Sequence, residues 1–189
     1  MEMEWLPAGA VKIEYLQSSG TQYIITNTIN TKNTELYLDF QLTDSINEDR
    51  KIIGQGYKFG LGTTSSVWRT IGSTWFATSL ATDTNRHIFT TDTGKFFIDN
   101  TQIADKYSYK EAGTYSMLIF AASQENSISL EGQCAKMKLY RCKIYENRTL
   151  IKDFIPVRIE QTGYLYDKVS RQLYGNSGSG NFVLGPDIV

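Results

Sequence analysis

The clearest pattern of hydrophobic and polar positions lies at residues 35–42. Apolar side chains fill the even positions from Leu36 to Leu42, and polar or mixed side chains fill the odd positions from Glu35 to Gln41. Because a period of two separates the faces of a strand, this segment predicts a half-buried strand of an antiparallel sheet. Residues 114–123 (TYSMLIFAAS) are apolar at both parities. They predict a strand in the middle of a sheet covered on both sides.

The last third of the chain, residues 135–186, predicts one long strand, a hairpin, a second strand and a patterned closing segment. Pro156 interrupts the second strand, which favours an edge position or a bulge because proline cannot donate to a ladder. Tyr164, Tyr166 and Tyr174 are expected to cover the end of the fold as structural residues, since aromatic strand residues are usually core.

Short strands and turns alternate between residues 87 and 104, with turns at Asp92-Thr93-Gly94 and Asp99-Asn100. A helical period of ten residues or more is not found in the sequence, so the fold class is all-β, a sandwich or barrel. With 189 residues and 41% hydrophobic content, one core is expected. The predicted organisation is an N-terminal lead-in at residues 1–14 and a single domain at residues 15–189.

Residues 52–62 (IIGQGYKFGLG) predict one strand whose glycines share a face with Lys58. One interpretation is structural, because strand glycines permit bending or lie beneath bulky neighbours. The other is a shallow groove in which a flat ligand such as a sugar ring approaches the backbone. On that second interpretation Gly56, Lys58 and Gly60 are candidate ligand-binding residues.

Residues 66–78 (SVWRTIGSTWFAT) predict a hairpin around a two-residue Gly72-Ser73 turn, since glycine suits the first central position of a type II′ turn. That register pairs Trp68 with Ala77 and puts Trp68 and Trp75 on one face. Exposed, the two rings would form a platform for the apolar face of a sugar; buried, they would belong to the core.

Charge and cysteine usage exclude several classes of function. The formal net charge is −1 with acids and bases interspersed, which disfavours nucleic acid and anionic membranes as partners. The chain lacks a run of eighteen apolar residues and a basic, apolar leader, so neither membrane insertion nor a signal peptide is expected. Cys134 and Cys142, on one strand, would lie roughly 26 Å apart, too far for a disulfide. Free thiols fit a reducing compartment.

Four stretches resemble one known family: EYLQSSGTQYIIT (14–26), FFIDNTQIA (96–104), KIYENRTLIKDFIPVR (143–158) and GYLYDKVSRQLYGNSGSGNFVLGP (163–186). The chain is similar to concanavalin A-like (laminin G-like) lectin and glucanase domains, which occur in bacteriophage structural proteins and gut bacterial surface proteins. The resemblance implies a jelly roll of two packed antiparallel sheets. It also implies ligand binding on the concave face or on loops at one rim.

The resemblance also raises glycoside hydrolysis as a function, because that family includes glycoside hydrolases. The glucanase signature ExDxxE is absent. Glu35 and Asp39 share a strand face but are about 13 Å apart, which exceeds the separation of the two catalytic carboxylates in glycoside hydrolases. A catalytic pair contributed by two different strands is not excluded by this distance. His87 is the single histidine, so a multi-histidine zinc site is excluded. We expect His87 to be an ordinary polar residue at the end of a strand. The acid-rich loop at residues 44–49 could bind Ca²⁺ but lacks the EF-hand spacing; otherwise no cofactor is expected.

These observations predict a non-enzymatic binding or structural module. The expected setting is a phage virion assembled in the host cytoplasm, as a decoration, fibre or receptor-binding component. Its expected partners are host surface glycan, other virion proteins or both, and self-association into a homo-oligomer is left open. The alternative is a glycan-degrading enzyme, a depolymerase or glycoside hydrolase with an atypical active site.

Overall fold

The computed structural model describes residues 5–44, 48–56, 58–71, 75–104, 112–123 and 133–188. Within them lie seventeen strands and no helix, so none of these residues belongs to a helix that could cross a membrane. The strands are β1 (Ala10–Lys12), β2 (Leu16–Ser19), β3 (Ile24–Ile29), β4 (Thr34–Leu42), β5 (Arg50–Gln55), β6 (Phe59–Thr64), β7 (Val67–Ile71), β8 (Trp75–Ala81), β9 (Arg86–Asp92), β10 (Lys95–Ile98), β11 (Thr101–Ala104), β12 (Ser116–Ile119), β13 (Lys136–Glu146), β14 (Thr149–Ile159), β15 (Thr162–Asp167), β16 (Gln172–Tyr174) and β17 (Val183–Leu184).

The strands form two antiparallel sheets. The large sheet has the order β11-β10-β9-β4-β13-β14-β15-β16, with β1 paired to β14 and β2 paired to β13 and β17. The small sheet has the order β3-β12-β5-β6-β7-β8. Aromatic contacts join the two sheets across the core: Phe40 meets Trp68 with ring centroids 5.6 Å apart, and Phe59 meets Phe96 at 6.1 Å. The predicted all-β, two-sheet antiparallel sandwich is confirmed, and its topology is consistent with a jelly roll.

Alternation along β4 is as predicted, because the side chains from Leu36 to Leu42 at even positions are at most 2% exposed. The strand β12 lies between β3 and β5, and its two faces are both covered, which confirms its predicted place inside a sheet. Two hairpin turns contain asparagine, including the predicted Asp99-Asn100 turn. Asp99 and Asn100 both have positive φ, as do Asn147 and Arg148, the pattern that a type I′ hairpin turn requires.

The prediction that Pro156 keeps its strand at an edge or a bulge was wrong. On one side β14 pairs with β15 throughout residues 154–159. On the other side β14 pairs with β13 as far as Phe154 and with β1 from Val157 onward, so Pro156 falls where one neighbour replaces the other. Its carbonyl accepts the N–H of Ile13 (3.1 Å). The missing proline N–H therefore interrupts no ladder, and the strand can be central.

Part of the predicted lead-in belongs to the sheet. Residues 10–12 form β1, and the Ile13 side chain is fully buried in the core. Trp5 lies farther out, 56% exposed, with its ring 6.2 Å from that of Tyr166.

The closing segment is structural, as predicted. Tyr166 and Tyr174 are buried. Asp167, fully buried, accepts the backbone N–H of Asp153 (2.9 Å) and forms an ion pair with Lys152 (3.1 Å). Lys152 also donates to the hydroxyl of Tyr174 (2.6 Å). These bonds fasten β14, β15 and β16 together at one end of the large sheet.

The two cysteines are free and buried, as the prediction that they cannot bridge requires. Cys142 lies within β13, whereas Cys134 lies just before that strand. Burial raises the pKa of both thiols. Both therefore stay protonated and unreactive at neutral pH.

Candidate functional site

The predicted single strand at residues 52–62 is a hairpin. It consists of β5 and β6, and Gly54 is paired with Gly60. A Cβ added to Gly54 would lie 2.7 Å from the Cα of Gly60, and both glycines have φ in the range that L residues rarely adopt (+135° and +156°). Gly56 is buried and donates its N–H to the carbonyl of Ser123. The structural interpretation of the glycines holds, because two backbones approach closely there.

The second predicted binding element is also a hairpin, but its register differs from the expected one. Ala77 pairs with Arg69 rather than with Trp68, and Trp75 pairs with Ile71. The predicted register, with its two-residue turn and both tryptophans on one face, is therefore wrong. Trp68 is fully buried against Phe40 and His87, which makes it a core residue.

Two other predicted site residues are not placed in a binding role. The side chain of Trp75 lies outside the described residues. Lys58 is half-buried in the β5–β6 turn, with its backbone N–H donated to the carbonyl of Gln55 (3.2 Å). For these two residues, the binding role remains a prediction.

Tyrosine side chains collect on the outer face of the large sheet. Four half-buried tyrosines line this surface, which we term the tyrosine face: Tyr15, Tyr37, Tyr140 and Tyr145. Tyr37 lies there because the odd positions of β4 point away from the core. Tyr140 is the extra residue where the pairing of β13 with β4 shifts register, between Leu139 and Arg141. A bulge of this kind re-aims a side chain, here onto the same face as its neighbour Arg141.

Each of three tyrosine rings on this face has a cation over it. The guanidinium carbon of Arg86 lies 3.6 Å from the ring centre of Tyr140. The ammonium of Lys138 lies 4.3 Å from the ring centre of Tyr15, and that of Lys143 lies 5.4 Å from the ring centre of Tyr37. Tyr15 and Tyr140 also meet edge to face, 5.8 Å apart. These contacts hold the rings in fixed orientations.

Two planar ion pairs lie among the rings. Arg86 binds Asp39 with both bonds at 2.7 Å, and Arg141 binds Asp153 at 2.9 and 2.8 Å. The hydrogen bonds to Asp39 raise the pKa of Arg86. The forks keep the carboxylates as acceptors and the guanidiniums as donors, in a fixed planar arrangement.

The hydroxyl groups of Tyr37 and Tyr140 keep their protons at neutral pH. Burial, followed by the nearby carboxylate of Asp39, raises the pKa of Tyr37. Burial raises the pKa of Tyr140, whose hydroxyl donates to the side-chain carbonyl of Gln41 (2.8 Å). The face therefore offers neutral hydroxyls next to fixed charges.

A cleft of about 300 Å³ opens at the end of β4, β9 and β13, and we term it the rim cleft. Three turns surround it: the one before β4, the β9–β10 turn and the β13–β14 turn. Its lining is polar and consists of Lys32, Asn33, Glu35, Thr93, Asn147 and Arg148.

His87 is held between two aspartates at the opposite end of β9 from the rim cleft. Its Nδ1 lies 2.6 Å from Asp99 and its Nε2 lies 2.9 Å from Asp83. Carboxylate oxygens only accept, so both ring nitrogens carry a proton in this arrangement. Burial lowers the pKa of His87, but the bonds to Asp99 and Asp83 outweigh it and the pKa is raised. When protonated, the histidine thus clamps the two loops that carry Asp83 and Asp99.

The acid-rich segment that could bind Ca²⁺ is described only in part, since residues 45–47 lie outside the described residues. Asp44 pairs with Lys136 (3.0 Å), Asp49 with Arg69 (2.8 Å), and Glu48 with Arg50. The cation site there remains a prediction.

Sequence reasoning missed the tyrosine face, although part of the signal was present. Tyr37 was placed on the solvent side of its strand, and Tyr140 and Tyr145 stand in KLYRCKIYE, where alternation is apparent. What alternation could not show is that β4, β9 and β13 are neighbours. The bulge at Tyr140 does leave a signal, because the buried apolar positions change from odd (Met137, Leu139) to even (Cys142, Ile144) across it.

The fold and the outer face define a class, the antiparallel β-sandwich. No protein-family model and no curated protein matches the chain. Among solved structures, the chain is similar to a protein of Bacteroides ovatus ATCC 8483 described as a candidate carbohydrate binding protein, with a TM-score of 0.64 and 12% identity. The similarity covers 95% of this chain and 62% of that chain. At this identity the match shows a shared fold.

Proposed function

We propose that this chain is a non-enzymatic carbohydrate-binding module that holds a glycan on the tyrosine face. The observation that carries the proposal is the joint presence of fixed tyrosine rings and planar Arg–Asp pairs on one sheet surface. A sugar ring has an apolar face that packs on an aromatic ring and a rim of hydroxyls that need both donors and acceptors. The tyrosine face offers all three.

The geometry of the carboxylates supports a binding module over a hydrolase. Asp39 and Asp153 are each bound by both oxygens to an arginine, with side chains only 13% and 8% exposed. A glycoside hydrolase needs one carboxyl group that gives up a proton and a second that acts as base or nucleophile. Aspartates held as acceptors in arginine forks suit neither role.

Similarity to a solved structure and to a known family also supports carbohydrate binding. The Bacteroides ovatus protein with this fold is described as a candidate carbohydrate binding protein. The resemblance of the sequence to concanavalin A-like domains points the same way. From that resemblance we propose a place in a phage virion, where the face would bind host surface glycan while other surfaces contact virion proteins.

The test is a glycan array probed with the wild-type protein and with Tyr37→Ala and Tyr140→Ala. Removing one stacking ring is expected to weaken binding about tenfold or more. Tyr115→Ala is the control, because Tyr115 is 37% exposed and lies outside the face.

Two outcomes would overturn the proposal. One is that no glycan binds, or that the tyrosine-face variants bind as the wild type does. The other is the release of new reducing ends from a bound glycan, which would establish the hydrolase instead. Capture of virion proteins with no glycan bound would make the face a protein interface.

A further inference from the structure

The rim cleft is continuous with the tyrosine face. Glu35, which lines the cleft, lies on the same side of β4 as Tyr37 and is paired with Tyr145 of β13. The cleft is therefore the end of the same surface. A glycan that follows β4 and β13 would reach the cleft with a terminal or branching sugar unit.

The walls of the cleft are fixed by hydrogen bonds of their own. Both carboxylate oxygens of Glu146 accept hydroxyl groups, from Thr31 and from Thr34 (2.7 Å for Thr34). The backbone N–H of Asn147 donates to the carbonyl of Asn33 (3.3 Å), which joins the turn before β4 to the β13–β14 turn.

The third turn is tied to the same walls. The N–H of Thr93 donates to Glu35 (3.2 Å), so the β9–β10 turn is held against the start of β4. All three turns around the cleft are thus connected.

Four side chains that line the cleft make no hydrogen bond or ion pair with the residues that the structure describes. Lys32, Asn33, Asn147 and Arg148 are exposed, and none of the four side chains has an ion-pair or hydrogen-bond partner among the residues that the structure describes. Elsewhere on this surface the cations are engaged, as Arg86 and Arg141 are with aspartates. Two unpaired cations and two unpaired amides on a fixed frame are suited to a ligand from outside.

The charge of the cleft selects among sugars. Among the lining side chains, Lys32 and Arg148 contribute two positive charges and Glu35 contributes one negative charge. The carboxylate of Glu146, in the wall behind them, is bound by the hydroxyls of Thr31 and Thr34. A guanidinium matches an oxyanion with two parallel hydrogen bonds, and an ammonium adds a point charge. The amides of Asn33 and Asn147 can both donate to and accept from hydroxyl groups.

We propose that the rim cleft binds an anionic sugar unit. Its carboxylate or sulfate would lie between Lys32 and Arg148, and its hydroxyls would bond to the two asparagine amides. This inference rests on the glycan-binding function proposed above and assigns the anionic end of the ligand to this cleft.

The experiment is an NMR titration of the ¹⁵N-labelled protein with four probes: glucuronate, glucose 6-sulfate, glucose and acetate. Glucuronate is expected to shift the side-chain amide signals of Asn33 and Asn147 and to bind about fivefold or more tightly than glucose. A comparable effect of glucose 6-sulfate would extend the site to sulfate esters. Acetate, which lacks hydroxyls, is expected to bind more weakly than glucuronate.

The charge-removing variant is Lys32→Gln with Arg148→Gln, which is expected to remove the preference for glucuronate over glucose. Its control is Lys12→Gln with Lys136→Gln, which removes the same charge at the far end of the strands, about 33 Å along β13 for Lys136. The preference should survive in the control.

The inference is overturned if glucose shifts the same amides as strongly as glucuronate, or if the double variant keeps the preference. In either case glycan binding at the tyrosine face can still stand, because its own test depends on Tyr37 and Tyr140. Shifts with acetate equal to those with glucuronate would also overturn it, since the site would then select any carboxylate. If the wild-type protein binds none of the sugars in this titration and no glycan on the array, both proposals are overturned together.

Discussion

The hairpins of the small sheet carry the residues that first suggested a binding site, whereas the tyrosine face of the large sheet carries the candidate site. In the hairpins, Gly54 and Gly60 let two backbones approach, and Trp68 fills the core. On the large sheet, common residues such as Tyr37 and Lys143 become a surface because three strands place them side by side. Rare residue types drew attention to the scaffold, whereas cross-strand neighbours make the candidate site.

Replacing Trp68 with alanine should have the largest effect. A fully buried tryptophan that leaves a cavity is expected to cost about 3–5 kcal/mol of the free energy of unfolding. Denaturant unfolding measures it, and Trp5→Ala is the control, since Trp5 is 56% exposed and should cost under about 1 kcal/mol. If Trp68→Ala were as stable as the wild type but bound no glycan, the assignment of the hairpins to the scaffold would be wrong. Trp68→Phe serves if the alanine variant does not fold.

Gly54→Ala should follow, with a loss of about 3 kcal/mol. The new Cβ would overlap the paired strand at Gly60, and the positive φ of Gly54 disfavours any L side chain. Gly175→Ala is the matched control, because its Cβ would meet only the ring of Tyr164 at 3.5 Å, an ordinary contact. Thermal unfolding compares the two variants. An unchanged Tm for Gly54→Ala would contradict the structural interpretation of the glycines and favour the interpretation of a ligand-binding groove.

The clamp of His87 predicts a smaller, pH-dependent effect. The pKa of His87 is raised in the folded state, so its stabilisation is fully present below the unfolded pKa of about 6.5 and is lost as pH rises through the folded pKa. The pKa of Asp83 is lowered, so its contribution is present above its unfolded pKa and lost as pH falls.

Stability measured against pH should therefore show a decline on the alkaline side that His87→Gln abolishes, with a cost of about 1–2 kcal/mol at pH 6. The tyrosine face lies on the other side of the sheet, so glycan binding should not follow the same curve. If the free energy of unfolding of the wild type rises as pH increases above about 6.5, the proposed stabilisation by protonated His87 is wrong.

Arg86→Lys should have the smallest effect on stability, a few tenths of a kcal/mol, because half of its side chain is exposed. Lysine keeps the charge but loses the fork to Asp39 and the flat contact with Tyr140. Glycan affinity should fall several-fold as the ring is released, which calorimetry can measure. Equal affinity would show that the orientation of Tyr140 is immaterial to binding.

Much of the fold could be predicted from local patterns. Alternation gave β4, and turn chemistry gave the hairpins around Asn100 and Asn147. The predictions were wrong where the structure depends on which strands pair. The segment around Gly56 forms the β5–β6 hairpin instead of one strand, and Pro156 lies where β1 replaces β13 as the neighbour of β14. The candidate site depends on pairing throughout, since Tyr37 is far in sequence from Lys143 and Asp153 and lies beside them only through strand pairing.

The place of β1 and β2 in the large sheet also bears on how the protein acquires its structure. β1 pairs with β14, β2 pairs with β17, and the N–H of Ile188 donates to the carbonyl of Lys12 (2.9 Å). Within this fold, β1 and β2 are therefore made well before the strands that complete their hydrogen bonds. Such non-local pairing slows folding, and it leaves strand edges open to other chains in the interval. During synthesis, this fold is most exposed to aggregation before β17 and Ile188 become available for pairing.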